Sequence, residues 1–132
     1  MSPLVFCQTI YLGDRWCKQL IIDGVAREIR LQIDLISRVR GTQWNFYAAE
    51  DIPDGFLVLE DVARFELAPQ GPLPNDWIEL VSVSETAEDG SYRFEFSLGS
   101  SSAETAQVVE VILIVIAKQL CLADAKGNKI RV

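Results

Sequence analysis

The stretch AETAQVVEVILIVIAKQLCLA, residues 103–123, decides the fold. Glu104, Gln107 and Glu110 fall at helical spacing, which would make one polar face of a helix. Against that, Val108, Val109, Val111, Ile112, Ile114, Val115 and Ile116 are β-branched. Such side chains lose rotamer freedom in a helix and suit a pleated sheet. The stretch therefore predicts a strand buried on both faces, central in its sheet. A straight strand from Gln107 to Leu122 would run about 50 Å at ~3.3 Å per residue. That is too long for a chain of this size, so a bulge or bend is expected near Ala117–Lys118.

Outward from there the signal is alternation. Ile29, Leu31, Ile33 and Leu35 alternate with Arg30, Gln32 and Asp34, and Tyr92, Phe94, Phe96 and Leu98 with Arg93, Glu95 and Ser97. Both read as half-buried strands. Shorter candidates are Val5–Leu12, Arg15–Ile22, Phe56–Glu60, Ala63–Leu67 and Ile78–Ser84. Gly13-Asp14, Asp23-Gly24, Asp54-Gly55, Asp89-Gly90 and Gly127-Asn128 punctuate the strands, and the Asp-Gly pairs at 23–24 and 89–90 are the strongest hairpin signals. APQGPLPND, residues 68–76, is too short for a domain linker and reads as an ordered corner. The expectation is a single all-β domain over residues 1–132, an antiparallel β-sandwich or partly open barrel of eight or nine strands.

Composition limits the function. The 132 residues carry a formal net charge of −7. Nucleic acid and anionic membranes demand a basic surface, so neither is an expected partner, whereas a basic protein would be drawn in. No apolar run approaches the ~20 residues of a membrane-spanning helix. The amino terminus lacks the pattern of a secretory signal, so a cytoplasmic location is expected. Three cysteines without C-x-x-C spacing point to buried thiols rather than a zinc or redox site. With a two-residue turn at Gly13-Asp14, Ile10 would face Cys17 and Cys7 would face Leu20, leaving the two sulfurs on opposite faces and unable to bridge.

The chain has no histidine. Ser-His-Asp and Cys-His catalysis and His-ligated zinc are thereby excluded, and the phosphate-binding glycine loops are absent. Ser100–Ser102 with Lys118 lack the spacing of a catalytic pair, and LGSSSAE reads as a turn. Carboxylates remain. Glu50, Asp51 and Asp54 cluster in EDIPDG, but calcium loops need different spacing and a glycosidase pair needs a cleft. IPDG reads as a type I turn around Pro53 and Asp54. No metal or cofactor is expected. The loop SRVRGTQWNFYAAEDIPDGF, residues 37–56, brings together Arg38, Arg40, Trp44, Asn45 and Tyr47, the residue types of interface hot spots, with Glu50, Asp51 and Asp54. It is long for a hairpin connection. Two readings stand: a partner-binding surface, or a plug in which Trp44 and Phe46 fold inward and Arg38 and Arg40 pair with Glu50 and Asp51.

LGDRWCKQLIIDG, the pattern S-R-V-R-x3-W-N-F-Y-x2-E-D-I-x-D-G and PNDWI resemble a small bacterial family of unknown function, over about residues 10–122. The resemblance implies a compact bacterial domain and brings no activity. A looser likeness of layout, around LEDVARFEL, is to β-rich immunity proteins of toxin systems. The expected function is a non-catalytic binding or interaction module, possessing an immunity-like role at most by analogy. The alternative is a small carboxylate-dependent enzyme using the acidic loop at residues 50–54. A homodimer is expected, because 49 % hydrophobic residues exceed what a small domain hides. The uncharged run at residues 4–12 would be its open edge strand.

Overall fold

The computed structural model describes residues 2–38, 51–88, 90–102, 104 and 106–130. Among them the chain is all-β apart from a four-residue helix, α1 (Pro3–Phe6), and the 3-10 turn Cys7–Thr9. The strands are β1 (Ile10–Tyr11), β2 (Cys17–Asp23), β3 (Glu28–Ile33), β4 (Leu35–Arg38), β5 (Ile52–Pro53), β6 (Phe56–Glu60), β7 (Arg64–Ala68), β8 (Ile78–Glu85), β9 (Tyr92–Ser101), β10 (Val108–Ala117), β11 (Gln119–Ala123) and β12 (Lys129–Ile130). They form antiparallel sheets ordered β7-β10-β9-β8, β12-β11-β6-β3-β2 and β1-β4-β5. The described residues form twelve strands, not eight or nine. The chain breaks its long strands where it changes sheet, at Asp34 between β3 and β4 and at Lys118 between β10 and β11.

The four- and five-stranded sheets share one core. Phe94, Phe96, Leu98, Val111, Leu113 and Val115 of the first meet Ile29, Leu31, Ile33, Leu57, Leu59 and Leu122 of the second. β10 is central, as residues 103–123 predict, but only one of its faces is fully buried. Ile112 and Ile114, on the other, are half exposed, and Val108 and Val109 are exposed.

Along one side the two sheets are continuous. β6 pairs with β11 from Glu60↔Gln119 outward, and β7 with β10 from Arg64↔Ile116 outward. These are one antiparallel ribbon bent at a corner. Lys118 N–H donates to Glu60 O at 3.1 Å and Ala63 N–H to Ile116 O at 2.8 Å, so the ladder survives the bend. Residues 61–63 stand there opposite only 117–118, which is a bulge on the outer strand. Asp61 takes φ 53 in it. The expected bend at Ala117–Lys118 is present, and the extra residue that makes it possible sits on the partner strand.

The outer face of the five-stranded sheet carries a second small cluster, Phe56, Val58, Cys121 and Ala123. Charged side chains roof it. Lys129 bridges Glu28 (2.8 Å) and Glu60 (2.7 Å), and Arg30 reaches Glu28 and the carbonyl of Gly127. The hydrogen bonds to Glu28 and Glu60 hold the Lys129 ammonium above its usual pKa range.

Several local expectations need correcting. Residues 4–12 are not an edge strand. Ser2 caps Val5 N–H, Pro3 occupies the first helical turn, and only Ile10–Tyr11 extend. β1 pairs with β4, not with β2, so Cys7 and Leu20 are not cross-strand neighbours. The hairpin of β2 and β3 is real, but its loop is four residues and the left-handed residue is Arg27, φ 58, not Gly24. Asp54 has φ 55, the left-handed third position of a type II turn rather than type I. β9 runs on to Ser101, where a turn was expected.

Candidate functional site: a groove along an open sheet edge

Opposite the bent ribbon, the sandwich is barely joined. β8 ends the four-stranded sheet and β2 ends the five-stranded one. Between them run Cys17 N–H to Asp76 O (2.7 Å) and Ile78 N–H to Arg15 O (3.3 Å), around a single Trp16↔Trp77 bridge. Beyond Ile78 no described segment pairs with the outer edge of β8.

The amino-terminal segment leans over this opening. Phe6 and Leu12 anchor it in the core, and Arg38 packs its guanidinium 5.5 Å from the Phe6 ring. Thr9 closes the short helical stretch by donating to Phe6 O. The chain then turns at Gly13 and Asp14, where Tyr11 folds so closely over Gly13 that any Cβ would collide with its ring. Arg15 stacks near Tyr11 (5.9 Å) and donates to the buried Ser37 Oγ at 3.0 Å. Between this segment and β8 lies a groove of about 860 Å³. Its walls are mainly apolar: Leu4, Ile10 and Leu12 on one side, Ile78, Leu80 and Val83 on the other. Asp14, Arg15, Gln8 and Glu79 supply its polar groups. Its size is that of a ligand-binding site, and an apolar cleft with a few polar groups is how such sites are built.

Trp77 holds the start of β8 in place. Its ring lies on Gly99, and its Nε1–H donates to Ser97 Oγ (3.2 Å), which donates to Glu110 Oε2 (2.7 Å). Cys7 also borders the groove, and burial pushes its thiol up to about 11. The thiolate is the nucleophilic form, so at neutral pH this sulfur is a weakly polar wall and not a nucleophile. Cys17 is fully buried and raised to about 11 by the same cause. Cys7, Cys17 and Cys121 are in no disulfide among the described residues. No group of three His, Cys, Asp or Glu among the described residues could hold a metal ion. No helix among them is long and apolar enough to cross a membrane.

Of the residues that the sequence singles out, Arg40, Trp44, Asn45, Tyr47 and Glu50 lie outside the described residues, as does Phe46. Arg38 is only 6 % exposed and donates to Thr9 Oγ1 at 3.3 Å. Asp51 is half-buried, with Oδ1 enclosed and lacking a hydrogen-bond donor among the described residues. Asp54 pairs with Lys18 at 2.6 Å, while Gln32 donates to its carbonyl. Arg38 and Asp54 thus take separate partners, near the amino-terminal segment and on the β2–β3 side respectively. The groove itself was not anticipated. Its signal was Ser2-Pro3, a helix cap followed by a first-turn proline, which bars the strand that alternation suggests for residues 5–12.

No curated protein and no solved structure matches the chain. The whole chain, residues 1–132, matches a family of unknown function (DUF6258), and it belongs to that family.

Proposed function

We propose that the protein is a non-catalytic binding module and that the groove beside β8 is its contact surface. The observation that carries this is the open edge. A sheet edge lined by half-buried Leu80 and Val83, to which no strand pairs among the described residues, is a liability unless something docks there. The rest of the fold supports binding over chemistry. The groove thiol is neutral, Asp54 is engaged by Lys18, and the groove walls are apolar. Arg38 reaches the same amino-terminal segment through Thr9 and Phe6.

Fragment screening by two-dimensional NMR tests the reading. Hits are expected to shift the amides of Leu12, Leu80 and Val83, and Leu80→Arg is expected to abolish them. Hits that cluster elsewhere, or that ignore Leu80→Arg, contradict it.

A further inference from the structure

The free edge of β8 has a hydrogen-bonding pattern that can be read from its neighbours. Gly99 N–H donates to Trp77 O, and Thr86 N–H donates to Ser91 O. Residues 77 and 86 therefore point their main-chain groups at β9. Counting inward from both ends, Ile78, Leu80, Val83 and Glu85 point theirs away from it, outward. The two counts agree only because β8 has a bulge at Val81, where the register shifts between Leu80 and Ser82. Ile78 has already spent its outward N–H on Arg15 O. Leu80, Val83 and Glu85 continue the same row along the groove, with no strand paired to it among the described residues.

From this we infer that β8 accepts an extended segment of a basic protein partner, about five residues long, as an added strand. The inference rests on the groove being the contact surface and names its occupant. The start of the row is already used in this way, since the Trp16 segment pairs antiparallel with Trp77 and stops after one bridge. An incoming strand continues where it leaves off. Alternate side chains of that strand fall into the groove against Leu80 and Val83. The others lie on the face that carries the exposed Glu79, and the exposed Asp14 and Glu85 border the same edge, so lysine or arginine is favoured there. The molecule's net charge of −7 steers such a partner in. The same charge disfavours a second copy.

Selection from a displayed random heptapeptide library tests this, with counter-selection on Val83→Pro. Proline removes the outward N–H of residue 83 without touching a bond to β9, and its melting curve shows whether the variant folds. The expected peptides alternate apolar residues with Lys or Arg. In the best of them, N-methylation of alternate main-chain nitrogens lowers affinity at least tenfold in one phase of the alternation only, a readout that needs no protein variant. Peptides that tolerate N-methylation in both phases, a consensus without basic residues, or an empty selection would overturn the inference. So would a dimer that Val83→Pro dissociates, since the edge would then belong to a second copy. An empty selection with NMR fragment hits in the groove defeats the strand but leaves the binding surface standing.

Discussion

The two long sides of this sandwich solve the same problem in opposite ways. Where β6–β7 and β10–β11 turn the corner, four strand segments become one ribbon, with β6 paired to β11 on one sheet and β7 to β10 on the other. Where β2 and β8 approach, the ladder lasts for one bridge and then stops. The first side is closed by a bulge that lets the backbone bend without losing its hydrogen bonds. The second also contains a bulge, at Val81, yet there it keeps Leu80 and Val83 on the core side while leaving the edge open. The same device seals one flank and prepares the other. The lesson is that stability and accessibility are separated in space here: the ribbon holds the sheets together, so the β8 flank can remain unpaired.

The contrast can be broken most easily in the core. Leu113→Ala, on the ribbon side with a fully buried side chain, is expected to cost about 2 to 5 kcal/mol in chemical denaturation. Leu80→Ala, half-buried at the groove, should cost clearly less, and equal losses would erase the distinction. Alkaline pH acts next. Cys17 is raised from 9.0 to about 11, so the unfolded chain releases its proton first. The associated stability is complete below pH 9 and is lost as pH rises to about 11, by about 2 to 3 kcal/mol. Lys129, raised by Glu28 and Glu60, adds a loss of the same sign above 10.5. Cys7, raised to about 11 by the same cause, adds a loss over the same window, so urea melts between pH 8 and 11 should show the decline and Cys17→Val should remove about half of its first part.

Smaller effects sharpen the picture. An alanine at Gly99 would place its Cβ 2.4 Å from the Trp77 ring. Gly99→Ala should cost about 1 to 3 kcal/mol by thermal melting and loosen the start of β8. At the corner, Asp61→Val forces a β-branched residue into φ 53 and should cost about 1 to 2 kcal/mol, whereas Asp61→Asn should be nearly neutral.

The strands were legible wherever side chains alternate or branch at Cβ. Residues 28–33, 92–98 and 108–117 declare themselves in this way, and the bend at Lys118 follows from length alone. The open flank was hidden for physical reasons. In Ile78–Ser84 simple alternation puts Ser82 and Ser84 on the core face, and only the bulge at Val81 replaces them with Val83. A bulge is one extra residue, and its position depends on the partner strand. At the amino terminus, the apolar run Leu4–Leu12 looked like a strand, yet the cap at Ser2 and the proline after it set a helical turn. Positive φ at Arg27 and Asp61 came without a glycine to announce it. The candidate loop residues Arg38 and Asp54 were chosen for chemistry, and the structure shows them tied to Thr9 and Lys18. Which side chains are tied down is set by contacts between residues distant in sequence, and no local pattern encodes it.

Native-state hydrogen exchange on the isolated protein tests the central claim most directly. The amides of residues 112–116, bonded alternately to β7 and β9, should exchange only with global unfolding, and those of Leu57 and Leu59 between β11 and β3 likewise. The amides of Leu80, Val83 and Glu85 should exchange orders of magnitude faster, while Glu79 and Ser84, which face β9, stay protected. Protection at Leu80 and Val83 equal to that of β10 would contradict the account, because it would mean that the edge of β8 is already covered.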